Sequence, residues 1–435
     1  MLALAQKHGY AIRAWDIRNA YVNASLNRDV YISPPQGYEK PGYCMKLLRA
    51  LYGLPGSGRA WWKTFDRYLR SKHFKPSKVD PCLYVHSSKK AFIMTHVDDC
   101  LAVAEPELMP KIVDMIKSQY SIRDLGFPGN YLGLQLSRTP KYLELTCRTF
   151  CESLLKRFSL PYRLVTTPIP SSVQLTSFDQ SDTKPDSSKF RQYVGCINWA
   201  AEHARPDVAQ VAHQLSRHLN NPSHAHMAIA IRTIQYLHCT RHLGLRYHTD
   251  KSHPVMTFTD SDWAGCIDTR QSTSGRVTVM QGAAVMWKSA RQKSIALSSC
   301  EAEMVAANAA ARDARFIRRL HASIGKPIPH PTPLMIDSES AMTWIQGKAR
   351  WSASRHIASS HFAIQEWRKQ GHIVPIKVDT TRQYADMFTK NLPHNSFVMM
   401  RKMVLGRLND LSTPYAPEWQ PANQQPDAPR TPTQA

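Results

Sequence analysis

The sequence lacks the patterns that mark several common classes of protein. Its 9 cysteines include no C-x-x-C pair, and Cys147 with Cys151 is the only close pair, so no zinc site is predicted. We expect the thiols to be reduced and structural. No run of about 18 apolar residues occurs, which argues against a membrane span. The apolar start, residues 1–9, is too short for a signal peptide and favours the last turns of a helix.

Acidic residues are also scarce. The chain has 33 Asp and Glu against 56 Lys and Arg, a formal net charge of +23 over 435 residues. A protein this basic usually binds a polyanion, so the composition favours nucleic acid as substrate or partner. The hydrophobic content of 43% is ordinary, and the length allows two or three domains with buried cores.

Hydrophobic patterns divide the chain into five segments. We predict, in order, a mixed α/β or α+β domain (1–165), a Thr-, Pro- and Ser-rich linker (166–189), a mainly helical segment (190–250), a small α/β domain (251–395), and an extension (396–435) that ends in a Pro-rich disordered tail. Within the fourth segment we expect five strands, two helices and a last helix over 382–390.

Two adjacent carboxylates, Asp98 and Asp99, lie between the apolar runs 92–97 and 100–104, at the tip of a predicted hairpin. Asp favours turns, which is the structural alternative. Two adjacent acids repel one another, however, and a divalent cation would compensate them. Asp16 follows another apolar stretch. Because two-metal phosphoryl transfer uses carboxylates from two strands, these three acids predict such a site.

Four further acids lie near the carboxyl end of the chain. Asp260 and Asp337 end predicted strands, Glu303 opens a long predicted helix together with Glu301, and Asp386 lies in the last predicted helix. Any one of them could be structural, since acids are common at strand ends and helix starts. Together they supply carboxylates from four elements, an arrangement that cleaves RNA with two metals and an activated water.

These motifs resemble the reverse transcriptase and RNase H region of copia-type LTR retrotransposon polyproteins. Residues 16–23 are similar to the first palm motif, and residues 96–99 to the aromatic-x-Asp-Asp box, with His96 in the aromatic position. Other matching segments are 46–62 and 131–134 in the polymerase region, 193–199, 204–208 and 236–247 in the connection, and 258–265, 298–307, 334–341 and 384–390 in the RNase H domain.

The resemblance implies both a fold and a set of site residues. The fold would comprise a polymerase palm/thumb-like domain, a helical connection and an RNase H-like α/β domain. The implied catalytic and metal-binding residues are Asp16, Asp98 and Asp99 in the polymerase, and Asp260, Glu303, Asp337 and Asp386 in the RNase H domain. Tyr21 would be the nucleotide-binding gate that excludes a 2′-hydroxyl.

Two choices among these acids stay open. Glu303 is preferred to Glu301 because the apolar run after it is more similar to RNase H helices. Asp260 is preferred to Asp262 because Asp262 lies past the predicted strand.

The resemblance also implies cofactors and partners. Two Mg²⁺ or Mn²⁺ ions would bind in each active site. The partners would be an RNA template, a DNA primer, an RNA–DNA hybrid and deoxynucleoside triphosphates, without a membrane, and self-association is left open. The location would be cytoplasmic, in virus-like particles, if the element is active, with the nucleus as the alternative.

The chain departs from the family pattern at three points. By the resemblance, the fingers would lie upstream of the first palm motif, so we expect them to be missing here. Residues 55–58 read Pro-Gly-Ser-Gly where the family has Lys-Gln, and residues 355–361 lack the acid that the family often places between the two histidines. We therefore expect a fragment of an RNA-directed DNA polymerase with RNase H activity, in which the RNase H half works alone more readily. The alternative is a non-catalytic nucleic-acid-binding relic or a host-adopted module.

Overall fold

The computed structural model describes residues 1–177, 183–250, 254–348 and 362–407. Its first part is a six-stranded antiparallel sheet of order β4-β5-β6-β7-β1-β8, beside a separate hairpin of β2 and β3. The elements are α1 (Leu2–His8), β1 (Ala11–Ile17), β2 (Tyr31–Ile32), β3 (Met45–Lys46), α2 (Ser57–Ser71), β4 (Phe74–Pro76), β5 (Leu83–His86), β6 (Ala91–His96), β7 (Asp99–Ala104), α3 (Met109–Lys117) and β8 (Ile122–Gly126).

Helix α2 packs through one apolar stripe. Trp61, Phe65 and Leu69 recur every four residues and are buried in one cluster with Trp15 of β1. Residues spaced by four lie on the same side of a helix, so this spacing directs α2 onto the sheet. This spacing in the sequence predicts a helix over 59–74. The structure confirms the helix, with bounds two or three residues earlier.

A second sheet joins distant parts of the chain. Its order is β12-β11-β10-β9. The elements of this part are β9 (Asn130–Tyr131), β10 (Leu134–Arg138), β11 (Tyr142–Thr146), α4 (Arg148–Phe158), α5 (Ser187–His203), α6 (Ala209–Ser216), α7 (His224–Cys239) and β12 (Gly244–His248). The mainly helical structure predicted for 190–250 agrees with α5, α6 and α7. The prediction did not include β12, where Leu245 and Tyr247 alternate into the core and Leu245 pairs with Leu145.

The predicted linker is partly packed rather than solvated. Thr167 and Ile169 are buried, and Ile169 belongs to the largest hydrophobic cluster. Helix α5 begins inside the predicted linker at Ser187, because the Asp186 carboxylate caps its first turn by accepting from the Ser188 and Lys189 backbone N–H groups. Residues 178–182 of this segment lie outside the described residues.

The third sheet has the order β15-β14-β13-β16-β17, in which β13, β16 and β17 are parallel and the other pairs antiparallel. Its elements are β13 (Met256–Asp262), β14 (Thr273–Met280), β15 (Ala283–Arg291), α8 (Ser299–Ser323), β16 (Thr332–Ile336), α9 (Glu339–Ile345), α10 (Ala363–Lys369), β17 (Ile373–Lys377) and α11 (His394–Val404). The mixed α/β architecture that the sequence predicted is confirmed.

Two predictions near the carboxyl end are corrected. The helix expected over 382–390 is replaced by short 3₁₀ turns at Thr380–Arg382 and Tyr384–Phe388. The extension expected from residue 396 is helical at first, because Phe397 and Met400 of α11 are buried in the core. The remaining tail, 408–435, and residues 355–361 lie outside the described residues.

Across the described ranges, no helix combines the length and apolarity that crossing a membrane would require.

Two candidate active sites

The first group of predicted residues lies where β1 ends and β7 begins, on two adjacent interior strands of the six-stranded sheet. Asp16 on β1 pairs directly with Asp99 on β7. The Ile17 backbone N–H donates to the Asp98 carbonyl at 2.9 Å, which fixes the turn before β7 against the end of β1. The structure thus places Asp16 and Asp99 opposite one another on two neighbouring strands and Asp98 in the turn before β7. The ligand atoms of these three acids do not all lie within 4.8 Å of one another.

The turn that carries Asp98 is strained. Val97 has a φ of 60°, a left-handed conformation that β-branched residues rarely adopt and that costs about 1–3 kcal/mol. Trp61 of α2 compensates by donating its indole N–H to the Val97 carbonyl at 2.7 Å. A helix packed on the sheet therefore holds the tip of the β6–β7 hairpin in place.

The first site is electrostatically unfavourable without a cation. Partial burial raises the pKa of Asp99, and the neighbouring charges of Asp98 and Asp16 raise it further, while His96 opposes them. Carboxylates that destabilise one another in this way are suited to bind a divalent ion.

Two stacked tyrosines border these acids. The rings of Tyr21 and Tyr52 lie 4.3 Å apart between centroids, and the Tyr52 hydroxyl donates to Asp98 Oδ2 at 3.2 Å. Sequence reasoning gave Tyr21 a role but none to Tyr52, whose signal was its place in the family-like segment 46–62. Gly58 approaches the same pair, since a Cβ there would lie 3.5 Å from the Tyr21 hydroxyl.

The second group lies at the ends of β13 and β16 and at the start of α8. Among the described residues, Asp260, Glu303 and Asp337 form the only set of three potential metal ligands whose ligand atoms all lie within 4.8 Å of one another. Strands β13 and β16 are parallel neighbours, so their carboxyl ends, which carry Asp260 and Asp337, meet at one edge of the sheet.

Glu303 shows how strongly this second group needs a cation. Its burial, followed by the charges of Asp260 and Asp337, raises the pKa of Glu303 to about 8. Its Oε1 accepts from the Ser261 backbone N–H at 3.3 Å, whereas its buried Oε2 has no hydrogen-bond partner among the described residues. A divalent ion would supply the missing partner, so these residues fit the metal that the sequence implied.

The rival acids face elsewhere. Glu301 Oε2 accepts from the Leu297 backbone N–H at 2.7 Å, which ties Glu301 to the start of α8. The Asp262 carboxylate lies against Gly265, where a Cβ would be only 1.7 Å from Asp262 Oδ2. Neither acid belongs to the close group, although β13 does extend to Asp262.

Asp386 is near the group but outside it. Its carboxylate is 3.3 Å from the Lys390 ammonium, which is also 3.5 Å from Asp260 Oδ2. Burial and the charge of Asp260 raise the pKa of Asp386. Sequence reasoning assigned no role to Lys390, although it lies in the segment 384–390 that resembles the family.

Comparisons with known proteins show which sequences and structures the chain is similar to. Residues 1–171 match the reverse transcriptase (RNA-dependent DNA polymerase) family. The chain is 29% identical over 405 residues to the retrovirus-related Pol polyprotein from transposon RE1 of Arabidopsis thaliana, covering 91% of this chain and 27% of that protein. It is 28% identical over 422 residues to the corresponding polyprotein from transposon TNT 1-94 of Nicotiana tabacum, covering 93% and 31%.

The chain belongs to the copia-type retrotransposon Pol polyprotein family. It spans less than a third of the length of either relative. A solved structure, the N-terminal RNase H domain of a Mycobacterium tuberculosis protein fused to maltose-binding protein, covers 34% of this chain and 96% of that chain at 12% identity. Its TM-score is 0.24, which is too low to indicate a shared fold.

Proposed function

We propose that the chain cleaves the RNA strand of an RNA–DNA hybrid at Asp260, Glu303 and Asp337, as the RNase H part of a retrotransposon reverse transcriptase. The observation that carries this proposal is the close approach of the three carboxylates, within 4.8 Å of one another, on three different elements. Structural acids normally acquire hydrogen-bond or cationic partners, whereas Glu303 Oε2 has none among the described residues.

Each of these residues has a distinct task. Asp260 and Asp337 would hold the divalent ion, Mg²⁺ or Mn²⁺, from the ends of two parallel strands, and Asp386 would complete the site. When bound, such an ion activates water and neutralises the charge that develops on the phosphate. Glu303, with a pKa of about 8, keeps a proton at neutral pH in the free site and releases it when a cation binds.

A single substitution tests this proposal. Asp337→Asn should abolish magnesium-dependent release of ribonucleotides from a labelled RNA–DNA hybrid. Glu339→Gln is a matched control, because Glu339 lies two residues away with its side chain 87% exposed. This variant should cleave the hybrid as fast as the unsubstituted chain does. Cleavage that persists in purified Asp337→Asn protein would reject the assignment.

We propose a second activity, addition of deoxynucleotides to a DNA primer on an RNA template, at Asp16, Asp98 and Asp99. The direct pairing of Asp16 with Asp99 beside Asp98 supports it. The stacked ring of Tyr21 would act as the gate against ribonucleotides. Primer extension should be lost in Asp98→Asn and kept in Glu107→Gln, which changes an exposed acid in the 3₁₀ turn Pro106–Leu108 after β7.

A binding protein without catalysis is the other candidate, and the net charge of +23 favours it. It would bind a primer–template with an affinity that falls steeply with salt. Salt-dependent binding with neither hybrid cleavage nor primer extension would support this candidate, whereas either activity, lost in the matching Asp→Asn variant, would reject it.

A further inference from the structure

The Lys390 ammonium lies between two carboxylates of the second site. It is 3.3 Å from Asp386 Oδ1 and 3.5 Å from Asp260 Oδ2. The two acidic side chains are almost fully buried, at 8% and 3% exposure, while the lysine reaches them from a position that is 40% exposed. A cation already compensates this side of the site.

The backbone holds this lysine in place. The backbone N–H groups of Thr389 and Lys390 both donate to the Asp386 carbonyl, at 3.1 and 3.0 Å. The Thr389 hydroxyl donates to Asp260 Oδ2 as well. Gly275 allows the turn to lie flat on β14, because a Cβ there would approach the Ala385 carbonyl to 2.6 Å. The position of Lys390 is therefore set by the packing of the turn.

The opposite side of the site is different. Glu303 Oε2 has no partner among the described residues, and Asp337 Oδ2 accepts only a long hydrogen bond, 3.4 Å, from the Thr380 hydroxyl. One side of the acidic group is thus open to a cation, whereas the side between Asp260 and Asp386 is occupied by an ammonium. A second divalent ion bound there would clash with the Lys390 ammonium and would be repelled by its positive charge.

We propose that the Lys390 ammonium takes the place of a second metal ion between Asp260 and Asp386. The free site then binds one divalent ion tightly, at Asp260, Glu303 and Asp337, and accepts a second only when Lys390 leaves Asp260 and Asp386. This inference rests on the proposed RNase H function and changes its expected stoichiometry from two ions to one in the absence of substrate.

The test counts bound Mn²⁺ per chain, from the loss of the free-ion electron paramagnetic resonance signal during a titration. Lys390→Met removes the charge and keeps most of the stem, and it should bind about one more ion than the unsubstituted chain. We expect the affinity for this ion to rise by about 5- to 150-fold, the usual range for linked sites. Ions bound at the polymerase site cancel in this difference.

Two controls separate position from charge. Lys390→Arg keeps the charge and should keep the original count. Lys377→Met removes a lysine that binds the Asp337 backbone carbonyl and Glu339, so a general electrostatic effect would appear there too. An extra ion in Lys377→Met, or none in Lys390→Met, would overturn the inference while leaving the proposed function intact.

Thermal unfolding gives an independent measure. Without metal, Lys390→Met should have a lower thermal midpoint than the unsubstituted chain, because Asp260 and Asp386 lose their counter-charge, and excess Mn²⁺ should remove the difference. Lys390→Gln serves if the Met variant does not fold. A metal-free midpoint equal to that of the unsubstituted chain would reject the inference. Mn²⁺ binding in Asp337→Asn that equals that of the unsubstituted chain would reject the proposed function as well.

Discussion

Asp16 lies directly opposite Asp99 across two paired interior strands, β1 and β7, of a six-stranded sheet. Cross-strand pairs of like charge destabilise a sheet, and Asp98 adds a third carboxylate at the same end. A fold that keeps this arrangement loses stability in the free protein and gains affinity for a cation.

The first prediction concerns this repulsion. Asp99→Asn should raise the free energy of unfolding of the metal-free chain at pH 7, by no more than about 1 kcal/mol because solvent screens the half-buried group. Because the pKa of Asp99 is raised in the folded chain, its ionised carboxylate destabilises the fold, and stability is lost as the pH rises through the folded-state pKa. Urea unfolding measures the change. Asp29→Asn, which breaks an exposed ion pair with Lys46, should give no gain, and an equal gain there would contradict the explanation.

The second prediction concerns Glu303. Its folded pKa of about 8 exceeds the ordinary value of 4.5. The stability that protonated Glu303 contributes is therefore fully present below pH 4.5 and is lost as the pH rises through about 8. The metal-free chain should therefore lose stability over this window. Glu303→Gln should stabilise it by about 3 kcal/mol at pH 7, the linkage expected for 2.5 pH units above the ordinary pKa.

Calorimetry at pH 5, 7 and 9 measures this effect, with and without Mg²⁺. The unsubstituted chain should recover stability when Mg²⁺ is added, and the Gln variant should recover less. Glu301→Gln is the control, since Glu301 lies two residues before Glu303 in α8 and outside the acidic group. A pH dependence that is identical in all three proteins would show that Glu303 is not the responsible group.

Local patterns made much of the fold predictable. The stripe Trp61, Phe65 and Leu69 predicted α2 because helical spacing depends only on neighbours in sequence. The apolar runs around Asp98 predicted a hairpin for the same reason, and the structure has β6 and β7 there. The mixed architecture followed from counting such elements.

Long-range contacts account for what the sequence did not predict. Strand β12 looked like part of a helical segment because its partner, β11, is about 100 residues away. The turn at Tyr384–Phe388 replaced a helix because Thr389 is held by Asp260 on another strand. The contact of Tyr52 with Asp98 and the bridging position of Lys390 depend likewise on tertiary packing, which periodicity does not report.

The third prediction concerns a buried ion pair that stabilises the helical segment. Arg205 and Asp207 are both fully buried and form two parallel hydrogen bonds, at 2.9 and 2.7 Å, while the Tyr236 hydroxyl also donates to Asp207. Asp207→Asn should cost about 3–5 kcal/mol, because it leaves the Arg205 charge buried and uncompensated. Chemical denaturation measures it.

An exposed pair provides the comparison. Glu152 binds Arg148 on the surface of α4, and Glu152→Gln should change the stability far less than Asp207→Asn, because solvent screens the exposed pair. Similar losses from Asp207→Asn and Glu152→Gln would mean that burial does not determine the contribution of these pairs.

The fourth prediction concerns the glycine beneath the second site. A methyl group in Gly275→Ala would meet the Ala385 carbonyl at 2.6 Å and Phe388 Cβ at 2.9 Å, so the turn that carries Asp386 must move away from β14. We expect the free energy of unfolding to fall by about 1–3 kcal/mol, typical of overpacking, together with weaker Mn²⁺ binding.

Gly195→Ala is the matched control, because Gly195 lies inside α5 with no atom within 4 Å of an added Cβ. There alanine should stabilise the helix by about 0.5–1 kcal/mol without changing Mn²⁺ binding. Thermal midpoints and Mn²⁺ titrations of both variants would show whether the turn must lie against β14, since stabilisation by both alanines would mean that it need not.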